Sequence, residues 1–341
     1  MLNWGVIGAG KIAFDFIRAQ DKTEREHKIV AVSASSKERA QKLIDELKIT
    51  DAKAYGNYED VIKDPNVHVV YIALHNEAHN PWCKRAIEAG KPVLCEKPLA
   101  VNTREVKEVI ELAQKKKVLL VEAFWSRWFP AFQHIKKIVQ SGELGEPKVV
   151  HSVFGYPHED NWRCAERGES PLTLFALYTI MITQWVYGQK AEKISVIGEK
   201  DKHDVDDWAT IVLDYGNNRR GICYYDSRTF LPQTGFVAFE RGQIQLPEYF
   251  WCPEKLKQIN GPMWFDNKDR KDLEFPLNDD RFYNYNHSSG LRYEQDHIFD
   301  LIKEGKTESD VMSHTDSLQV IEMLDEVRRQ LKVVFPHDQR K

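Results

Sequence analysis

The run Val93-Leu94-Cys95-Glu96-Lys97-Pro98 is an apolar segment that stops abruptly at an acid, an amine and a proline. A lysine ending a buried strand needs a purpose, because an uncompensated charge beside a core is costly. A second stop lies near the amino end, where Trp4-Gly5-Val6-Ile7 runs into Gly8-Ala9-Gly10-Lys11-Ile12-Ala13. There Gly8 allows a tight turn, and Gly10 lets backbone N–H groups approach a pyrophosphate at the positive end of the next helix. Ala13 allows close helix–sheet packing. Together the two stops imply a dinucleotide-binding sheet with a lysine beside the cofactor, and so hydride-transfer chemistry.

Positioning these residues needs a parallel sheet, and residues 1–124 read as one. Candidate strands are Asn3–Gly8, Ile29–Ala34, Ala52–Tyr55, Val67–Leu74, Pro92–Glu96 and Val118–Ala123. Their continuous Val/Ile/Leu character suits strands buried on both faces. Helix-period segments lie between them. One spans Thr103 to Lys116, with Val106, Val109, Ile110 and Ala113 on one face and Asn102 and Glu105 as its start signal. Strict alternation of strand and helix predicts a doubly wound α/β domain.

In the strand order 3-2-1-4-5-6, strands 1 and 4 flank the switch-point crevice and strand 5 lies beside strand 4. That topology gathers Gly8–Gly10, His75-Asn76 and Glu96-Lys97 around one position, with His79 at the next helix start. The second strand ends in Ser33-Ala34-Ser35-Ser36-Lys37, with Arg39 close by. Hydroxyls and cations, with no repelling carboxylate in that run, favour NADP over NAD. Ser36 also suits an N-cap.

From 125 onward the texture changes. A helix at Pro130–Ser141 leads to strand-like segments at Lys148–Phe154, Lys193–Glu199, Trp208–Tyr215, Arg220–Ser227, Gly235–Glu240 and Gln243–Leu246. Turn signals at Gly216-Asn217 and Arg241-Gly242 separate neighbours. The expectation is an α+β domain over 125–341 with a mostly antiparallel sheet. A helical stretch around 169–187 interrupts it, and a closing helix at Thr315–Lys332 is able to pack back on the first domain.

Composition excludes several classes. With 341 residues, a net charge of −4 and 42% hydrophobic residues, nothing favours nucleic acid. No run approaches the ~18 apolar residues of a membrane helix. The strand-like amino end leaves no room for a signal peptide. Cys83, Cys95, Cys164, Cys223 and Cys252 are scattered without CxxC spacing. They fit a reducing, cytoplasmic setting, with neither a disulfide framework nor a metal site.

Gly8-x-Gly10, Asn76-x-x-His79, Glu96-Lys97-Pro98 and the two-domain texture resemble the glucose–fructose oxidoreductase/inositol dehydrogenase (Gfo/Idh/MocA) family. Cys95-Glu96-Lys97-Pro98-Leu99, Glu122-Ala123-Phe124-Trp125-Ser126-Arg127, Gly145-Glu146-Pro147, Val205-Asp206-Asp207 and Trp251-Cys252-Pro253 are similar to the dimeric dihydrodiol dehydrogenases, described also as NADP-dependent D-xylose 1-dehydrogenases. The resemblance runs to the Val334-Phe335-Pro336 tail. It implies a homodimer joined through an open-faced sheet, and oxidation of a sugar or trans-dihydrodiol hydroxyl by NADP+. It also implies a reactive pair, Lys97 and Tyr178, with Trp125, Phe154, Tyr178 and Trp251 lining an apolar substrate wall. The cofactor-facing candidates are Gly8, Gly10, Lys11, Ile12, Ser35, Ser36, Lys37, His75, Asn76, His79, Glu96 and Lys97, with Arg163 a further candidate for the phosphates.

One departure stands out. Where the family pattern is approximately Gly-Gly-Ala-Leu-Leu-Asp-x-Gly-x-Tyr, this chain has Glu169-Ser170-Pro171-Leu172-Thr173-Leu174-Phe175-Ala176-Leu177-Tyr178. Leu174 replaces the aspartate, and on a helix 174 and 178 share a face. His151 and Glu199-Lys200 stand where basic residues near the substrate are expected. A catalytically impaired NADP(H)-binding regulatory protein of the same fold is therefore the alternative reading.

Overall fold

The computed structural model describes residues 1–158, 163–261 and 269–339. Contacts divide the chain into two compact units, Met1–Trp128 with Leu277–Ser317 and Phe129–Pro276 with Leu318–Lys341. The simple division at 124/125 therefore gives way to an interleaved one, in which a stretch of the expected second domain returns to the first unit.

The first unit is built on β1 (Leu2–Ile7), β2 (His27–Ser33), β3 (Lys53–Tyr55), β4 (Val69–Ile72), β5 (Val93–Glu96) and β6 (Leu120–Ala123). They form one sheet in the order β3-β2-β1-β4-β5-β6, every pair parallel. All residues of β4, β5 and β6 are buried, as strands covered on both faces must be. Helices α1 (Lys11–Ala19), α2 (Lys37–Leu47), α3 (Tyr58–Lys63), α4 (Asn76–Glu88) and α5 (Thr103–Lys116) connect them. The Asn102 side chain caps α5 by accepting the Glu105 N–H at 3.0 Å, and the helix stops at Lys117 in the left-handed region.

The second unit contains α6 (Pro130–Ser141), α7 (Leu177–Tyr187) and β7 (Pro147–Phe154). Its other strands are β8 (Lys193–Lys200), β9 (Asp206–Asp214), β10 (Arg220–Asp226), β11 (Gly235–Phe239), β12 (Gly242–Leu246), β13 (Lys255–Asn260) and β14 (Arg270–Glu274). They form one sheet ordered β14-β13-β12-β11-β7-β10-β9-β8. The β7–β10 pair is parallel and the rest are antiparallel. Helix α7 covers one face over β7 and β10. On the other face, register lines up Ser195, Val212, Ile222, His151 and Phe236 in one row, and Ile197, Thr210, Tyr224 and Val153 in the next. Each of these nine is at least partly exposed, Ile197 to 73%.

Three elements escape the sequence reading: β13, β14 and helix α8 (Leu291–Lys303) in the returning stretch. β14 reads Arg-Lys-Asp-Leu-Glu, a charged edge strand without an apolar signature. Helix α8 has Gly290 at its N-cap and no side-chain cap. The final helix α9 (His314–Leu331) follows. No helix among the described residues is long and apolar enough to cross a membrane.

Candidate active site

At the carboxyl edge of the parallel sheet, Gly8 has φ +117°, and a Cβ there would stand 2.1 Å from the Ala73 carbonyl oxygen. Only glycine fits that turn. Gly10 heads α1, and a Cβ on it would meet nothing within 4 Å. The space beside it is open. The amides of exposed Lys11 and half-buried Ile12 lie in the first helical turn, where N–H groups have no intrahelical acceptor. At the end of β2, Arg39 Nη1 donates to Ser35 Oγ at 2.9 Å. Ser36 Oγ caps α2 by accepting the Arg39 N–H at 3.3 Å, and Lys37 is exposed. These groups suit a dinucleotide: a helix end with room for a diphosphate, and hydroxyls with cations for a ribose substituent.

Past β4, exposed His75 precedes α4 and Asn76 opens it. His79 lies in the first turn of α4 but is fully buried. Its Nδ1 is 2.7 Å from the Pro98 carbonyl oxygen and its Nε2 is 3.1 Å from that of Leu74. His79 thus joins the turn after β4 to the loop after β5, and it positions that loop.

At the end of β5, Glu96 is 7% exposed. The Tyr71 phenol donates to its Oε1 at 2.6 Å, and its Oε2 accepts the Lys97 N–H at 3.3 Å. Burial pushes the Glu96 carboxyl upward, while the Lys97 charge and the Tyr71 bond pull against it. On β6, Glu122 accepts the Leu99 N–H at 3.0 Å. Its carboxyl is also raised by burial, against Ser317, the Leu99 amide, Arg127 and Lys97. Half-buried Lys97 therefore lies in the field of two enclosed carboxyl groups, and it joins Pro98 through a cis peptide bond.

In the second unit, Phe154, Tyr178 and Trp251 form one aromatic cluster. The Phe154 and Trp251 rings stack at 3.9 Å and 13°. The Tyr178 ring lies 5.9 Å from Phe154 and 6.1 Å from Trp251. Phe175 joins at 4.9 Å from Phe154. Trp125 belongs to the first unit, buried in the short 3-10 turn Trp125–Trp128.

The expected helix over 169–187 instead begins at Leu172 as a wide π-turn, Leu172–Ala176, that runs on into α7. Leu174 sits in the middle of this turn. Fully buried Asp206 anchors its head by accepting the Leu172 N–H at 2.6 Å. Such turns recur at functional sites.

Two expectations change. The Arg163 guanidinium donates to Asp201 at 2.7 Å, Asp207 at 3.1 Å and Ser227 at 2.6 Å within the second unit. Two carboxylates take up its charge there, which leaves it a fold-holding role in place of a phosphate contact. His151 stacks on Phe236 at 5.2 Å on the open sheet face, the face opposite Phe154, as strand alternation requires. Lys200 pairs with Asp204 at 2.7 Å.

Residues 2–124 match the model of an oxidoreductase family with an NAD-binding Rossmann fold, and residues 132–245 match the GFO/IDH/MocA C-terminal domain. The chain belongs to the GFO/IDH/MocA oxidoreductase family. Among its relatives, trans-1,2-dihydrobenzene-1,2-diol dehydrogenase of Mus musculus is 35% identical over 346 residues, covering 99% of each chain. The Homo sapiens enzyme of that name is 34% identical over 344 residues, with 99% of each chain covered. The fold is shared with levoglucosan dehydrogenase in complex with NADH and levoglucosan, at TM-score 0.83 and 19% identity over 97% of both chains. It is shared too with a 3-ketoreductase from Actinomadura kijaniata in complex with NADP and TDP-benzene, at TM-score 0.78 and 18% identity over 96% of this chain and 97% of that one.

As a GFO/IDH/MocA oxidoreductase close to the dihydrodiol dehydrogenases, the protein is NAD(P)-dependent. Its first unit carries the motif residues of β1, β2, β4 and β5 on adjoining strand ends. Tyr71 was not singled out in the sequence, and Asp206 only as part of the Val205-Asp206-Asp207 motif. Their roles come from burial and from partners distant in the chain, Glu96 and the Leu172 amide.

Proposed function

We propose that this chain is an NADP-dependent dehydrogenase that oxidises a hydroxyl of a cyclic trans-diol or a D-xylose-like sugar, with Lys97 and Tyr178 as the reactive pair. The observation that carries the reading is the setting of Lys97: an amine at the end of β5, in a 3-2-1-4-5-6 sheet, backed by the buried Glu96 carboxyl. The turn at Gly8 and Gly10 and the Ser35–Arg39 pair would hold the dinucleotide, which would supply a hydride acceptor for the carbinol carbon. The Ser35–Arg39 pair favours NADP, since a 2′-phosphate would meet a hydroxyl and a guanidinium.

Oxidation also needs the hydroxyl proton removed, and a phenol of ordinary pKa ≈ 10 is a poor base near neutrality. A neighbouring ammonium favours the phenolate. Lys97 would thus activate Tyr178 and hold the substrate oxygen in place. Phe154 and Trp251, stacked beside Tyr178, would offer an apolar wall to one ring face. That wall, and the dihydrodiol dehydrogenases among the relatives, support a diol over a free pentose. The open sheet face would join two copies, and the absence of disulfides among the five cysteines suits a cytoplasmic enzyme.

The test follows NADPH absorbance with cyclic trans-diols and D-xylose for wild type, Lys97→Met and Tyr178→Phe. Each substitution is expected to lower kcat by at least about 10²-fold. Undiminished turnover in Lys97→Met overturns the assignment. Leu174 favours a second reading, a protein that binds NADP(H) without turnover. Tight binding, no product on any substrate and gain of activity in Leu174→Asp would establish that reading.

A further inference from the structure

Helix α8 holds Glu294 inside the first unit with no solvent exposure, and neither of its carboxyl oxygens has a hydrogen-bond partner among the described residues. The adjacent Gln295 donates to the Phe16 carbonyl at 2.8 Å. The Phe16 ring stacks on Tyr71 at 3.7 Å, and Tyr71 donates to Glu96 at 2.6 Å. Glu96 is the charged group that acts on Glu294, and Tyr71 feels both carboxyls.

Both carboxyls are buried, and a negative Glu96 raises the cost of ionising Glu294 further. Glu96 has a phenol donor, an amide donor and the Lys97 cation; Glu294 has none of these. The negative charge therefore belongs on Glu96 and the proton on Glu294. Burial, reinforced by Glu96, holds the Glu294 carboxyl well above its ordinary 4.5.

The other titratable groups on the surrounding elements are committed elsewhere. On α1, Asp15 accepts the Asn284 and Tyr285 amides, and Arg18 lies over the Phe14 ring. On α8 itself, Arg292 donates to the Leu277 carbonyl, Asp296 pairs with His27, and His297 meets Ser309. Tyr293 accepts from Arg292, Arg127 pairs with Asp316, and burial holds the Cys95 thiol neutral.

We propose that Glu294 is the proton-bearing half of a carboxyl pair with Glu96, a positioning residue that reserves the pair's single negative charge for the side facing Lys97. The proposal rests on the reading of Lys97 as the reactive amine. Protonated Glu294 turns a donor dipole toward Glu96 and stabilises its anion, and that anion keeps Lys97 an ammonium. Were both carboxyls neutral, Glu122 would be the remaining acid in the field of Lys97.

The test compares the full chain with Glu294→Gln, neutral and still a donor, and with Glu294→Leu and Glu294→Met, neutral without a donor. The infrared carbonyl band of protonated carboxylic acid, present at neutral pH in wild type, is expected to lose one group's intensity in all three. The near-ultraviolet signal of Tyr71, identified by its loss in Tyr71→Phe, reports protonation of Glu96. Its midpoint should be unmoved in Glu294→Gln and rise by about one pH unit in the folded non-donor variants. The acid limb of kcat/KM should follow the same pattern. An undiminished infrared band in Glu294→Gln overturns the proposal, as do coincident Tyr71 midpoints in the Gln and non-donor variants. These two readouts need no turnover, so they judge the carboxyl pair even if Lys97→Met shows the Lys97 reading to be wrong. A moved Tyr71 midpoint with an unmoved kcat/KM limb overturns the link to Lys97.

Discussion

Arg39 and Ser35 lie four residues apart, and their 2.9 Å bond holds a guanidinium at the end of β2. On the proposed reading, a guanidinium there would discriminate between dinucleotides that differ by one phosphate, because a charge-assisted contact would form with only one of them. Arg39→Ala is expected to weaken NADP+ binding about tenfold, about 1.4 kcal/mol, and to leave NAD+ unchanged. Fluorescence titration with both nucleotides checks this, and equal weakening would refute it. Gly8 and Lys97 were legible in the sequence because their residue types are unusual for their places: a glycine where φ is +117°, and a lysine ending a run of buried residues. His79 was legible only as a histidine near a helix start. Its partners, Pro98 and Leu74, come from other loops, and no local pattern names them.

At the scale of elements, the π-turn Leu172–Ala176 carries Leu174 and leads directly into Tyr178. Its head is pinned across the fold by Asp206. Burial pushes that carboxyl above its ordinary range, against the hydrogen bonds made to it. Asp206→Ala leaves the Leu172 amide buried without an acceptor and should cost about 1–3 kcal/mol in urea denaturation, while Asp206→Asn retains an acceptor and most of the stability. Equal losses in the two variants would show that the carboxamide does not replace this acceptor. Helix α5 was readable from about Thr103 to Lys116, because its capping asparagine and its apolar face both show in the sequence. The π-turn was not, since the Asp206 anchor at its head lies more than thirty positions downstream. Strand β14 was not readable either, because its identity comes from pairing with β13 and hardly at all from its own residues.

Among the described residues, one face of the second unit's sheet holds Val212, Ile222 and Phe236 at least partly exposed and in register across four strands. Apolar rows of this kind suit a like surface from a second copy, which would bury both at once. Sedimentation should find a dimer, and Val212→Lys, at a position 38% exposed, should raise its dissociation constant at least about tenfold. A monomer at micromolar concentration, or a dimer indifferent to the substitution, would exclude this face as the interface.

The chain's own pattern was enough for the alternation of parallel strands and helices, for the glycine turn, and for a cation at the end of the fifth strand. Each of these follows from side chains within a few positions of one another. The approach of Glu122 to that cation, where the Arg163 charge goes, and the return of Leu277–Ser317 to the first unit were decided by tertiary packing alone. Enclosure and long-range partners set the charge state of a group such as Glu294, and a residue's neighbours in sequence carry neither.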